Sequence, residues 1–242
     1  MKITFMGTSH GYAEKGRFTS ATLIEVSDFY YLLDAGAPVE WIMVNKDKPF
    51  DKIRGIFITH MHNDHAGSLS TVIHSMLRFR YNNNAACFFP TEKGKNGFLD
   101  WMETMNIPKE KILSTMELGV TNEGRVYDKN GLTVSAKYTK HLENQSFSYI
   151  FEADGKKVLF TGDMKAGFPE YPSIVGDEHY DLVVYEMAHT SLSDAWNMLA
   201  KTNTNRMIIT HYSMPRIEGY EEIFKKFPFA VSLAKDGDEI VL

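Results

Sequence analysis

Ile58-Thr59-His60-Met61-His62-Asn63-Asp64-His65-Ala66-Gly67 closes an apolar run with three histidines and a carboxylate inside six positions. Four such groups packed this closely would repel one another or stay unpaired if nothing bound them, so a metal site is the leading reading. The segment before it, KIRGIFITH (52–60), is a strand that carries the cluster at its end. The segment after it, SLSTVIHSMLRFRY (68–81), has apolar residues at 69, 72, 73, 76, 77 and 79, the spacing of an amphipathic helix.

Working outward, KITFMG (2–7), ATLIEVS (21–27) and FYYLLDAG (29–36) are short β-branched and aromatic runs of an antiparallel meander. Downstream come a strand ACFFP (86–90) and a helix around GFLDWMETM (97–105), then strands LTVSAKYTKH (132–141), SFSYIFEA (146–153) and KVLFTGD (157–163). Asp154-Gly155 between the last two is a hairpin-turn signal. Strand DLVVYEMAH (181–189), helix SDAWNMLAKT (193–202), strand NRMIITHYS (205–213) and helix YEEIFKKF (220–227) precede the closing strands AVSLA (230–234) and DEIVL (238–242). Asn82-Asn83-Asn84 is an exposed turn, too short for a domain linker. The order is strands, then strand–helix units, twice over, which two face-to-face sheets with helices outside would satisfy. One domain over 1–242 is expected at this length, with 43% hydrophobic and 13% aromatic content.

The net charge of −5 advertises no basic surface, so long nucleic acid is not an expected partner. MKITFMGTSHG lacks the apolar core of a signal peptide, and no run of about 18 apolar residues occurs, so a soluble, cytoplasmic protein without membrane segments is expected. Cys87 is the one cysteine. It excludes an internal disulfide and a thiolate zinc cluster, and its apolar neighbours mark a buried strand thiol.

Three more ligand-type side chains stand at strand ends: His141 after LTVSAKYTK, Asp163 after KVLFTG and His211 after NRMIIT. One strand-end histidine is ordinary, but four strand ends finishing in His or Asp can converge on one edge of a sandwich. Imidazole and carboxylate without thiolate suit zinc, manganese or iron and leave positions open to water.

This arrangement resembles the metallo-β-lactamase fold hydrolases across essentially the whole chain. His60-x-His62-x-Asp64-His65, His141, the Asp163 of TGD and the His211 of ITH occur in the family's order. The resemblance implies a four-layer αββα sandwich and two divalent ions, zinc first, manganese or iron as alternatives. One ion falls to His60, His62 and His141, the second to Asp64, His65 and His211, with Asp163 bridging. Asp34 in LLDAG would support the ligand shell. Two cations about 3.5–4 Å apart can hold a bridging hydroxide near neutral pH and stabilise both attacking and leaving oxygens. A binuclear metal-dependent hydrolase is therefore expected.

His62, where a glutamate would stand in the di-iron oxygen reductases of this fold, argues against redox chemistry. Asp163 is usual in the phosphodiesterase, thioesterase and lactonase branches and absent from typical β-lactamases. The flanks FMGTSHG, ITHYSMPR and SLAKDGDEIVL look most similar to the ribonuclease Z and small phosphodiesterase group. Transfer-RNA-processing members carry a long arm between the histidine matching His141 and the bridging aspartate, but 21 residues separate His141 from Asp163 here. A small or nucleotide-derived phosphodiester is the expected substrate. A lactone or thioester hydrolase is the first rival, and a metal-containing binding protein without turnover the second. A homodimer is an allowed assembly.

The resemblance also implies a role for Glu186 and His189 of YEMAHT: the histidine as proton donor to the leaving oxygen, the glutamate orienting it. With the ligand Asp64 they are the catalytic candidates. The bland alternative is a turn-capping Glu186 and a helix-start His189. His10, Lys15 and Arg17, in the loop after the first strand, are candidates for the substrate mouth, where cations would pair with phosphate; the alternative is a solvated loop. His74 and His179 read as packed or surface histidines.

Overall fold

The computed structural model describes residues 1–78, 84–141, 144–217 and 219–242. The expected turn at Asn82 and Asn83, and the end of the segment 68–81, lie outside them; Asn84 is exposed at φ 51°.

Among the described residues fourteen strands form two seven-stranded sheets. The first holds β1 (Lys2–Gly7), β2 (Ala21–Val26), β3 (Phe29–Leu33), β4 (Ile53–Phe57), β5 (Ala86–Phe89) and β6 (Glu117–Val120), with β14 (Glu239–Val241) outside β1. The second runs from β7 (Gly124–Lys129) through β8 (Leu132–His141), β9 (Asn144–Ala153), β10 (Lys156–Phe160), β11 (Leu182–Glu186) and β12 (Arg206–Thr210) to β13 (Ala230–Leu233). Each sheet starts antiparallel and turns parallel: β3 through β6 in the first, β10 through β13 in the second. The meander and the two strand–helix runs expected from the sequence are present. Asp154 and Gly155 at φ 55° and 69° make the β9–β10 turn, the doubly left-handed hairpin that Asp-Gly favours.

Alternation along each parallel strand builds the layers. Phe57, Val184 and Ile208 enter a core between the sheets with Phe5, Tyr149 and Phe151. Their neighbours Ile56, Val183 and Ile209 face outward, where helices cover them. Over the first sheet, helix Leu69–Arg78 contributes Val72, Ile73, Met76 and Leu77, as its spacing predicts. The result is the αββα sandwich.

Several elements depart from the sequence reading. The helix expected at 97–105 begins earlier, at Glu92, because Thr91 caps it by accepting from the Gly94 N–H at 3.0 Å. Helices Val39–Asn45, Lys109–Leu113 and Tyr171–Val175 and strands β6 and β7 were not expected; all are short, and the two strands present largely exposed or half-buried side chains. The helix expected over 193–202 runs Leu192–Leu199 behind a Ser191 cap, so His189 precedes it rather than starting it.

The end of β3 fixes where the ligand motif sits. Ala35 N–H donates to the His65 carbonyl at 2.6 Å, and Ser68 N–H donates to the Ala35 carbonyl at 2.7 Å. Between them Gly36 touches the chain so closely that a Cβ would run into the Asp64 carbonyl, which is backbone and cannot swing away. Gly36→Ala is expected to destabilise the fold by about 3 kcal/mol, lowering the melting temperature by about 6–12 °C. Thermal melts check this, and a shift under 2 °C would show that the contact yields easily.

Candidate metal centre

The candidate side chains gather at one edge of the sandwich, beyond the carboxyl ends of the parallel strands. β3 delivers Asp34, β4 delivers His60 to His65, β10 Asp163, β11 Glu186 and His189, and β12 His211; β8 brings His141 from the antiparallel half. Asp64 and His65 lie on the single helical turn Asn63–Ala66, which aims both back toward the strand ends.

Asp163 is the hub. Its Oδ2 lies 3.1 Å from His211 Nε2, 3.4 Å from His65 Nε2, 3.8 Å from His60 Nε2 and 4.0 Å from His141 Nε2. Asp64 Oδ2 stands 3.5 Å from His65 Nε2 and 3.8 Å from His211 Nε2. His60, His62 and His141 form one triplet of converging ligand atoms, and Asp64, His65 and His211 another. All seven residues that the sequence singled out as ligands are thus brought together. His62 is half-buried and the other six are buried.

The outward nitrogens explain why Nε2 points inward. His65 Nδ1 donates to Asp34 Oδ2 at 2.7 Å, His60 Nδ1 meets Thr59 Oγ1 at 3.1 Å, His211 Nδ1 meets Ser20 Oγ at 2.8 Å, and His141 Nδ1 faces the Met164 carbonyl at 3.5 Å. Asp34, at φ 60°, also accepts from the Thr59 N–H at 2.8 Å and the Thr59 hydroxyl at 2.9 Å. Its carboxylate is thus taken up by Thr59 and His65. Partners of this kind fix ring orientation and tautomer in metal sites. Thr59, Ser20 and the Gly11 N–H, which donates to Asp64 Oδ2 at 2.8 Å, were not found from the sequence. Only Thr59, inside the motif, carried a signal.

The donor set fits a cation pair. His60 Nε2, His65 Nε2 and Asp163 Oδ1 are buried, face the same cluster and have no hydrogen-bond partner, an arrangement costly unless something charged sits among them. Burial and the neighbouring His65 hold the His60 imidazole well below its usual pKa, and burial lowers His141 against the pull of Asp163. Burial would raise the Asp163 carboxyl, but the imidazoles of His211 and His65 hold it well below the usual carboxylate range; His65 and His211 do the same for Asp64. Neutral imidazole and ionised carboxylate are the forms that bind metal. Burial would lower His65, but Asp163 and Asp34 draw it well upward. These buried His/Asp clusters are consistent with a binuclear metal centre.

Glu186 and His189 stand at the rim. Buried Glu186 accepts from the Ala188 N–H at 2.6 Å and from His189 Nδ1 at 2.9 Å. Burial disfavours charge on His189, but the bond to Glu186, its charge and that of Asp163 raise its pKa. The ring is 4.4 Å from that of His141 and its side chain is 27% exposed, so solvent reaches a group that touches the cluster.

The loop candidates separate. The His10 ring meets that of His211 edge-on at 6.2 Å, within the site. Lys15 is exposed on the loop. Arg17 is held inside it: the guanidinium donates to Glu14 Oε2 at 2.5 Å and to the Thr8 carbonyl at 2.6 Å, and lies 4.0 Å over the Tyr212 ring. His74 and His179 are exposed, and Cys87 is buried. The segment between His141 and Asp163 is occupied by β9, its Asp154-Gly155 turn and β10, with no arm among the described residues. No helix among the described residues is long and apolar enough to cross a membrane.

Known proteins share this frame. Human tRNase Z, short form, superposes with a TM-score of 0.78 at 18% identity, covering 100% of this chain and 99% of that one. The metallo-β-lactamase fold protein YhfI from Bacillus subtilis gives 0.77 at 15%, covering 99% and 98%. In sequence, ribonuclease Z of Staphylococcus epidermidis is 24% identical over 276 residues, spanning 88% of this chain and 89% of its own. The chain has the metallo-β-lactamase fold and is a distant homologue of ribonuclease Z. A family model described as anti-Pycsar protein Apyc1 matches residues 1–230, and the chain that carries this His/Asp centre belongs to that family.

Proposed function

We propose that the protein is a binuclear metal phosphodiesterase that hydrolyses a cyclic nucleotide. Family membership supports the substrate class. The observation that carries the reaction type is the Glu186-anchored His189 beside the Asp163 hub. His60, His62 and His141 would hold one ion and Asp64, His65 and His211 the second, with Asp163 available to both. Such a pair supplies a nucleophilic oxygen at neutral pH and neutralises charge on the phosphoryl group.

The chain's own residues do the rest. Asp34, Thr59 and Ser20 hold the imidazoles so that no reorganisation is needed when the substrate arrives. Opening a cyclic phosphodiester expels a ribose oxygen, an alkoxide whose conjugate acid is weak. With Nδ1 committed to Glu186, His189 gives that oxygen a proton from Nε2, and the buried carboxylate steadies the imidazolium before transfer. A carbonyl ester with a good leaving group would need no such donor.

A substrate panel tests this reading. The metal-loaded protein is expected to turn over 3′,5′-cyclic nucleotides and aryl phosphodiesters with higher kcat/KM than lactones or thioesters, and to leave precursor transfer RNA uncut. Lactone opening without phosphodiesterase activity would transfer the assignment to the carbonyl rival, and no turnover of anything would leave a binding protein.

Arg17 takes a different role from the phosphate partner expected of it. It ties the loop carrying Gly11 and Ser20 to Tyr212, next to His211. Through Gly11 and Ser20 that loop touches Asp64 and His211, two ligands of one proposed ion. Arg17→Met is expected to weaken that ion about 10-fold while sparing the one at His60, His62 and His141, in calorimetric titrations of metal-stripped protein. Equal weakening at both sites would mean general disorder, and no weakening would return Arg17 to the substrate mouth.

A further inference from the structure

A groove of about 560 Å³ opens beside the metal centre, within the size range of small-molecule sites. One wall is the ligand motif itself, through Met61 and Asn63, the chain neighbours of His62. The opposite wall is helix Glu92–Thr104, and Gln145 closes a third side. Gln145 pairs with Lys140 across the β8–β9 hairpin, one step from the pair that includes His141. The groove is therefore walled by the segment that carries His60 and His62 and by the strand paired with the one that ends in His141, and it adjoins the site on that side.

The helix wall is unusual in its composition. Gly94, Gly97, Phe98 and Trp101 share one face at helical spacing, and all line the groove. Glycine is a poor helix former, and neither glycine has the positive φ that would require it. Gly94 has a packing reason, since a Cβ there would come within 2.7 Å of Met61 Cγ. Gly97 has none: a Cβ there would meet nothing within 4 Å. The helix bears a poor residue at a position where the protein itself leaves open space. Beside that space Trp101 is 57% exposed and Met61 36% exposed, two large apolar side chains left in water. A slot with an indole, a thioether and a bare glycine backbone accepts a flat ring, and the amides of Asn63 and Gln145 can bond its polar edge.

We infer that this groove is the nucleobase subsite: the base of the cyclic nucleotide lies in the slot over Gly97, against Trp101 and Met61, while its phosphodiester reaches the His/Asp centre. The inference rests on the phosphodiesterase reading and adds where the base goes. Stacking against an aromatic face tolerates any base, because every base has a π-face. Asn63 and Gln145 are then the residues through which one base is preferred to another.

The test compares two substrates on two variants. Trp101→Ala removes the stacking partner; Gly97→Leu fills the slot with a better helix former in open space, so folding is preserved. On a 3′,5′-cyclic nucleotide both variants are expected to raise KM about 10-fold or more, the scale of one lost base–aromatic stack. On methyl p-nitrophenyl phosphate, a diester without a base, KM should stay within about twofold of wild type on the same stacking argument. Equal changes on both substrates, or none on either, overturn the subsite. Should the wild type cleave the aryl diester but no cyclic nucleotide, the substrate reading fails, and the groove is decided by binding alone. Nucleoside 5′-monophosphates titrated onto the protein should then shift the Gly97 amide and the Trp101 indole resonances, with ribose 5-phosphate leaving them in place. Resonances unmoved by any nucleotide would overturn it.

Discussion

Asp163→Ala is expected to cost phosphodiesterase turnover about 10³-fold or more, the upper range for removing one preorganised charged or polar group from an active site. It should reduce bound metal below two ions per chain in the same preparation. The reason is geometric. Asp163 Oδ2 lies within 4.0 Å of the Nε2 atoms of four imidazoles, delivered by β4, β8 and β12, so its one negative charge serves both triplets at once. His62→Ala should behave differently, weakening one ion and leaving Asp64, His65 and His211 intact for the other. Elemental analysis beside kinetics separates the two variants. An Asp163→Ala protein that kept two ions and full turnover would remove the carboxylate from the centre of the account.

His189→Ala should divide substrates by leaving group. For a cyclic nucleotide, whose ribose oxygen leaves poorly, kcat is expected to fall about 10²–10⁴-fold, the range of general acid catalysis. An activated nitrophenolate needs little help, and the loss there should be smaller by about tenfold or more. Metal content should remain at wild type. Glu186→Gln should give a milder form of the same pattern, since the amide at 2.9 Å from Nδ1 can still orient the ring but cannot steady an imidazolium. Equal losses on both leaving groups would assign His189 to phosphate binding, and no loss would make it a bystander at the rim.

The His/Asp cluster is legible in the sequence because its members stand at or just beyond strand ends and are of restricted type. A strand that stops in histidine or aspartate announces its end, and the convergence of several such ends follows from parallel pairing in two sheets. The structure places all seven in one cluster. The supporting contacts were less legible. Ser20 reaches His211 across 191 positions, and Gly11 reaches Asp64 with a backbone N–H, a donor every residue but proline carries. Gly36 is required by the approach of another backbone segment, which no local pattern encodes. Arg17 looked like a phosphate partner because charge is visible in sequence, whereas Glu14, Thr8 and the Tyr212 ring, which engage it, come together only in the fold. Helix Glu92–Thr104 was placed late for a related reason. Its Gly94 reads locally as loop and Gly97 as the start of the helix, yet one makes room for Met61 and the other opens onto the groove.

The most direct measurement is a metal titration read by turnover. Protein stripped of metal by chelation is titrated with zinc or manganese while hydrolysis of a 3′,5′-cyclic nucleotide is followed. The expected curve starts at background and rises to a plateau as two equivalents per chain are reached. Full turnover of the cyclic nucleotide by the chelated protein, with no response to added metal, would contradict the binuclear phosphodiesterase.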